Sequence, residues 1–216
     1  MKKGAIFDQD GLMFDTEAIF SQAWAIASAK LGVTLPEGFR TAVSGSSGEG
    51  MRQIIRRYIP EADPGALMEL TYQISYDIQS RTLPEKPGLH EILNFFRARG
   101  VKMAVASSSH RGPIERNLER SGIRAYFEAV VSGEDVARGK PDPEPFLTAA
   151  ARLGLAPEDC YVFEDSFNGV RAGRAAGCFT IMVPDLIQPD REIARCYDAC
   201  FPDLLAAMGD ISAGNI

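Results

Sequence analysis

The stretch Ala5–Glu17, AIFDQDGLMFDTE, joins a short apolar run to two acids one residue apart, Asp8 and Asp10, and then at once to a glycine, Gly11. Like charges that close repel each other and lose hydration if even partly buried, so a strand end built for packing alone seldom carries them. Such a pair calls for a cation between the acids, and the glycine lets the backbone come close to it. The run before the acids, GAIF (4–7), has the length and composition of a buried strand.

Working outward, similar runs recur at KMAVAS (102–107), AVVS (129–132), CYVFE (160–164) and FTIMV (179–183). Helix-period segments fall between them. GLHEILNFFRARG places Leu89, Ile92, Leu93 and Phe96 on one face, while EPFLTAAARLG and SFNGVRAGRAAG each close on a helix-ending glycine. This alternation predicts an α/β fold with a doubly wound, mostly parallel, Rossmann-like sheet. From Thr16 to about Ser80 the rhythm breaks, and EAIFSQAWAIASAKLG, MRQIIRRYI and PGALMELTYQISYDIQ follow one another as amphipathic helices. That stretch reads as a helical cap (16–81) inserted after the first strand of a core made of 1–15 and 82–216. Its hinges are LMFDT (12–16) and TLPEKPG (82–88), the second stiffened by Pro84 and Pro87.

A formal net charge of -6 over 216 residues argues against a phosphate-backbone binder, so no nucleic-acid partner is expected. No apolar run is long enough to span a bilayer, and acids interrupt MKKGAIFD too early for a secretory signal. The expected location is therefore cytoplasmic, with no membrane partner. Cys160, Cys178, Cys196 and Cys200 contain no C-x-x-C pair and read as reduced, mostly buried thiols.

Ligands of open parallel sheets bind beyond the carboxyl ends of the strands, where Asp8, Ser107, Ser132, Glu164 and Asp165 all stand. Carboxylates gathered around one crevice need a cation, and an oxygen shell with room for water and phosphate oxygens suits Mg²⁺. D-Q-D-G does not open a calcium loop, because its glycine comes at the fourth position instead of the sixth and Ile19 occupies the twelfth. GSSGEG (45–50) has phosphate-loop spacing, but Met51 and Arg52 stand where Lys and Ser or Thr should follow, so it reads as a turn between cap helices.

DQDGLMFDTE (8–17), Ser107 in VASSS, Lys140 in GKPDPEPF and FEDSFNGVRAG (163–173) together resemble the four motifs of the haloacid dehalogenase superfamily. They do so in the right order over nearly the whole chain, and look most like the phosphatase and β-phosphoglucomutase branch with a helical cap. The resemblance implies Asp8 as a nucleophile that forms an aspartyl-phosphate, and Asp10 as general acid and base. It implies Mg²⁺ held by Asp8, by Asp165 and by the backbone carbonyl of Asp10, with Glu164 orienting a metal-bound water. It further implies Lys140 as the fixed charge between Asp8 and the phosphoryl oxygens, and Ser107 with the amide of Ser108 as the groups that grip those oxygens. Asp15 and Glu17 serve the hinge and the cap helix's N-terminus. His90 reads as solvated and His110 as a loop residue.

Asp10 favours phosphate esters over haloacids, because expelling halide needs no acid beyond the nucleophile. Mutases of this branch carry a histidine where Phe20 stands and an arginine near Gly48. The expected activity is thus a Mg²⁺-dependent phosphatase of small phosphorylated metabolites such as sugar phosphates, acting as a monomer or weak dimer. A β-phosphoglucomutase-type mutase is the alternative.

Overall fold

The computed structural model describes residues 1–43, 46, 48–185 and 188–216. These fall into two compact units, one of Met1–Phe14 with Glu85–Ile216 and one of Asp15–Pro84. Strand β1 (Gly4–Phe7) opens the first unit. The second unit follows as α1 (Thr16–Leu31), α2 (Phe39–Val43), α3 (Gly48–Tyr58) and α4 (Pro64–Arg81). The chain returns through α5 (Leu89–Ala98), β2 (Lys102–Ala106), α6 (Arg111–Arg120), β3 (Ala129–Val131) and α7 (Glu144–Leu153). It ends with β4 (Cys160–Glu164), α8 (Phe167–Ala176), β5 (Phe179–Met182), β6 (Ala199–Cys200) and α9 (Leu204–Ala213).

The strands lie in the order β3-β2-β1-β4-β5-β6 and every pair is parallel. Ile6 of β1 stands opposite Ala104 on one side and Val162 on the other. Strand succession runs from β1 out through β2 to β3, then crosses back to β4. The point of reversal, between β1 and β4, is where an open sheet leaves a crevice beyond its carboxyl ends.

Both faces of the sheet are covered, which is why its strands read as continuous apolar runs. On one face the small residues Ala104, Ala106 and Ala129 let α7 approach, and Phe146, Ala149, Ala150 and Leu153 fill the space with Ile6 and Val162. On the other, Phe7 stacks on Phe163 at 4.7 Å and meets Phe96 edge-on at 6.2 Å. Such pairs contribute about 0.5–1.5 kcal/mol each beyond their buried area. Phe96 belongs to the expected stripe of α5, and Leu89, Ile92 and Leu93 are buried with it.

The helical unit has its own core of Trp24, Phe39, Met51, Ile55, Leu67 and Met68. Asp63 starts α4 by accepting the N–H groups of Gly65 and Ala66 at 2.7 and 3.1 Å, with Pro64 in the first turn. In the expected turn GSSGEG, Gly45 and Ser47 lie outside the described residues. Gly48, Glu49 and Gly50 instead form the first turn of α3, where Glu49 favours the helix dipole and pairs with Arg56 at 2.7 Å. Asp15 N–H donates to Pro84 O at 2.9 Å, and Phe14 bridges Glu85, so the outgoing and returning connections run side by side. Among the described residues no helix is long and apolar enough to cross a membrane.

Candidate active site

Asp8 stands directly beyond β1, where its N–H donates to Phe163 O at 3.0 Å. The adjacent strand end carries Glu164 and Asp165, so the point of strand reversal is lined with acid. Lys140 arrives from the segment between β3 and α7. Its Nζ donates to Asp8 Oδ1 and to Glu164 Oε1, both at 2.5 Å, and to Ala106 O at 2.9 Å. Those three bonds use the three protons of the ammonium. The Lys140, Asp8 and Glu164 side chains are 4%, 9% and 0% exposed, so Glu164 and Lys140 are shut off from water and only an edge of Asp8 is reached.

Two carboxylates around one ammonium leave the cluster a positive charge short. Burial is the largest influence on Asp8 and, with the neighbouring Glu164 and Asp10, raises its carboxyl from 3.8 to about 8 against the downward pull of Lys140. Burial also opposes the charge on Lys140, but Asp8 and then Glu164 outweigh it and hold the ammonium above its ordinary range.

Glu164 was expected to orient a metal-bound water, and the structure gives it other work. Its Oε1 takes Lys140, and its Oε2 accepts from Ser166 N–H at 3.1 Å and Ser166 Oγ at 3.0 Å. Ser166 Oγ in turn accepts from Gly169 N–H at 3.1 Å and caps α8. A Cβ on Gly169 would stand 1.8 Å from the Glu164 carboxyl carbon, so only glycine lets α8 start against that carboxylate. Glu164 is a buried anchor for Lys140.

Asp10 turns towards the loop after β2. Its Oδ2 accepts from Ser109 Oγ at 2.7 Å and from Ser107 Oγ at 3.2 Å, and Ser107 Oγ accepts from Ser109 N–H at 3.1 Å. Ser107 is fixed at its strand end by N–H donation to Val131 O at 3.0 Å. Its hydroxyl, expected to hold a phosphoryl group, therefore points its proton at Asp10 here. The amide of Ser108 makes no hydrogen bond among the described residues.

Asp165 is 8% exposed. Gly11, with φ +86°, lies so close that a Cβ there would meet Asp165 Oδ2 at 2.2 Å. The turn after Asp10 thus rests against the Asp165 carboxylate, in a conformation that glycine adopts without strain. Among the described residues no three His, Cys, Asp or Glu side chains group into an all-protein metal cage. The oxygen donors that would hold a cation there are the carboxylates of Asp8 and Asp165, beyond the adjacent ends of β1 and β4, with the main-chain carbonyl of Asp10. That sparse oxygen set, beside a carboxyl whose burial leaves it short of positive charge, fits Mg²⁺ with part of its water shell retained.

Two features escaped the sequence reading. Ser109 is one, hidden in a run of three serines. Asp135 is the other: its Oδ2 accepts from Ser132 N–H at 2.7 Å and Oγ at 2.6 Å, and Arg111 and Arg152 reach its carboxylate at 2.5 and 3.0 Å. Burial would raise this carboxyl, but the Ser132 bonds and then the arginines hold it well below the usual carboxylate range. His110 pairs with Glu134 at 3.0 Å and His90 with Glu85 at 2.9 Å, both through exposed imidazoles.

Residues 5–183 match the family model described as haloacid dehalogenase-like hydrolase. The chain is 31% identical over 176 residues, 81% of its own length and 82% of the relative's, to a phosphorylated carbohydrates phosphatase of Thermotoga maritima. It is 32% identical over 189 residues, 84% and 83% of the two chains, to the β-phosphoglucomutase of Bacillus subtilis. The crystal structure of a hydrolase from Pseudomonas syringae matches with a TM-score of 0.84 over 98% of this chain and 99% of that one; at 22% identity it speaks for the fold alone.

Proposed function

This chain belongs to the haloacid dehalogenase-like hydrolase family, and within it we propose a Mg²⁺-dependent phosphatase that hydrolyses small phosphorylated metabolites, sugar phosphates foremost, through an aspartyl-phosphate on Asp8. The observation that carries this reading is the buried Lys140 ammonium 2.5 Å from Asp8 Oδ1, which leaves Asp8 Oδ2 without a hydrogen bond among the described residues. A nucleophilic carboxylate needs one fixed cation and one open oxygen, and Asp8 has both.

Asp8 Oδ2 attacks phosphorus in line as the bond to the leaving oxygen breaks, and Asp10 gives that oxygen its proton. In the second step water attacks phosphorus, Asp10 takes the water's proton, and the bond from phosphorus to Asp8 breaks. Lys140 balances charge on Asp8 and on the phosphoryl oxygens throughout. Ser107 Oγ and the Ser108 amide grip those oxygens. Asp8, Asp165 and the Asp10 carbonyl would hold Mg²⁺, which would supply positive charge against the carboxylate and the phosphoryl group together. A cytoplasmic site of action is part of this reading.

The likeness to a β-phosphoglucomutase supports a second reading, a phosphosugar mutase. The helical unit speaks against it. Phe20 meets Tyr72 edge-on at 5.9 Å and packs on the unit's own core, while Gly48 brings no side chain at all to the start of α3. Neither offers the polar group that a second phosphate requires. A phosphate-release panel over phosphometabolites, run beside conversion of β-glucose 1-phosphate to glucose 6-phosphate, separates the two. Release from at least one sugar phosphate, lost in chelator, is expected. Conversion without release establishes the mutase, and neither result with any substrate overturns the reading.

A further inference from the structure

We infer that Ser109 is the positioning residue for Asp10, holding its carboxyl group in place while Ser107 turns to the phosphoryl group. The inference rests on the phosphatase reading, in which Asp10 moves protons and Ser107 binds phosphate. Its starting point is a conflict over one proton. A serine hydroxyl donates a single hydrogen bond, and Ser107 spends it on Asp10 Oδ2 at 3.2 Å. When that hydrogen turns to a phosphoryl oxygen, the bond to Asp10 is lost. The bond that remains is the shorter one, from Ser109 Oγ at 2.7 Å.

Ser109 is built to stay where it is. Its N–H donates to Ser107 Oγ at 3.1 Å, an acceptor position that Ser107 keeps whichever way its hydrogen points. Its carbonyl accepts from Gly133 N–H at 3.0 Å, which ties the serine loop to the loop beyond β3. The backbone of Ser109 is thus fixed on both sides, and its hydroxyl approaches one oxygen of Asp10 only. Asp10 Oδ1 has no hydrogen-bond partner among the described residues. Pinning Oδ2 leaves Oδ1 to meet the leaving-group oxygen, so one serine binds the group transferred and the other aims the acid.

The test is single-turnover leaving-group release with excess enzyme, using p-nitrophenyl phosphate and the hexose phosphate that the wild type turns over fastest. Only the hexose needs a proton as it leaves. Ser109→Ala is expected to slow hexose release about tenfold while nitrophenolate release and KM stay within about twofold. Ser109→Thr, which keeps the hydroxyl, should restore hexose release. In an Asp10→Asn background Ser109→Ala should have no further effect, since the carboxyl it aims is gone. Equal slowing of both substrates, no rescue by threonine, or an undiminished effect beside Asp10→Asn each overturns the assignment and leaves the phosphatase reading standing. A wild type that releases neither leaving group overturns both.

Discussion

Asp8 and Asp10 are separated by one residue, yet the structure surrounds them with opposite chemistry. Asp8 lies in a closed ionic cluster, in which every proton of Lys140 is committed and Glu164 is wholly buried. Asp10 lies at the rim, held by hydroxyl groups that exchange partners at little cost. A nucleophile gains from a fixed counter-charge that needs no rearrangement during reaction. A proton carrier gains from neutral neighbours, because a fixed ammonium beside it would keep it ionised. The proposed division of labour between two identical side chains matches their partners.

The sharpest way to break this contrast is at Asp8. Asp8→Asn removes the proposed nucleophile and should lower turnover at least about a thousandfold, roughly 4 kcal/mol of barrier. The variant should remain folded, and its stability should report the burial. A carboxyl raised to about 8 in the folded chain contributes stability that is present at low pH and lost as pH rises through that value. In chelator, the gain in Tm of Asp8→Asn over wild type should therefore be larger at pH 8 than at pH 5. An equal difference at both would mean that burial does not burden Asp8.

Lys140→Met removes the counter-charge and leaves Asp8 and Glu164 facing each other unpaired. Breaking a buried pair in this way costs about 3–5 kcal/mol, which denaturant unfolding in chelator would register, and the rate should fall at least about tenfold. Lost activity at unchanged stability would reduce Lys140 to a purely chemical role. A smaller effect is expected at the better-solvated Asp135. Its carboxyl is held well below the ordinary range, so its contribution is fully present above about pH 4 and is lost as pH falls from there towards the depressed folded value. Asp135→Asn should lower Tm by about 2–4 °C at pH 7 and by clearly less at about pH 2.5, the scale of about 1 kcal/mol in a chain of this size. No change at pH 7 would show the Arg111–Asp135–Arg152 group to be a solvated surface feature.

What the sequence revealed, and what it hid, follows the same physical divide. The five longer strands announced themselves because both sheet faces are covered, which demands unbroken apolar runs such as CYVFE. Strand β6, two residues on the sheet edge, is too short for any pattern, and the five residues of α2 are equally mute. Asp8, Asp10 and Asp165 drew notice because acids at or just past strand ends are costly without a purpose, whereas Lys140, in the segment between β3 and α7, stood out only through the resemblance of GKPDPEPF to a family motif. Ser109 did not stand out, since a serine after a strand carries no such cost. The anchoring of Glu164 by Ser166 depends on the close approach of Gly169, a contact visible only in three dimensions.

The central claim, a covalent nucleophile beside a separate proton carrier, is tested most directly by trapping. Asp10→Asn, mixed with p-nitrophenyl phosphate and Mg²⁺, loses the base needed for the second step but not the nucleophile needed for the first. Acid quench followed by peptide mass spectrometry should find a phosphoryl adduct on Asp8 that builds up in the variant and stays scarce in the wild type. No adduct in either protein, or an adduct on Ser107 in place of Asp8, would contradict the claim.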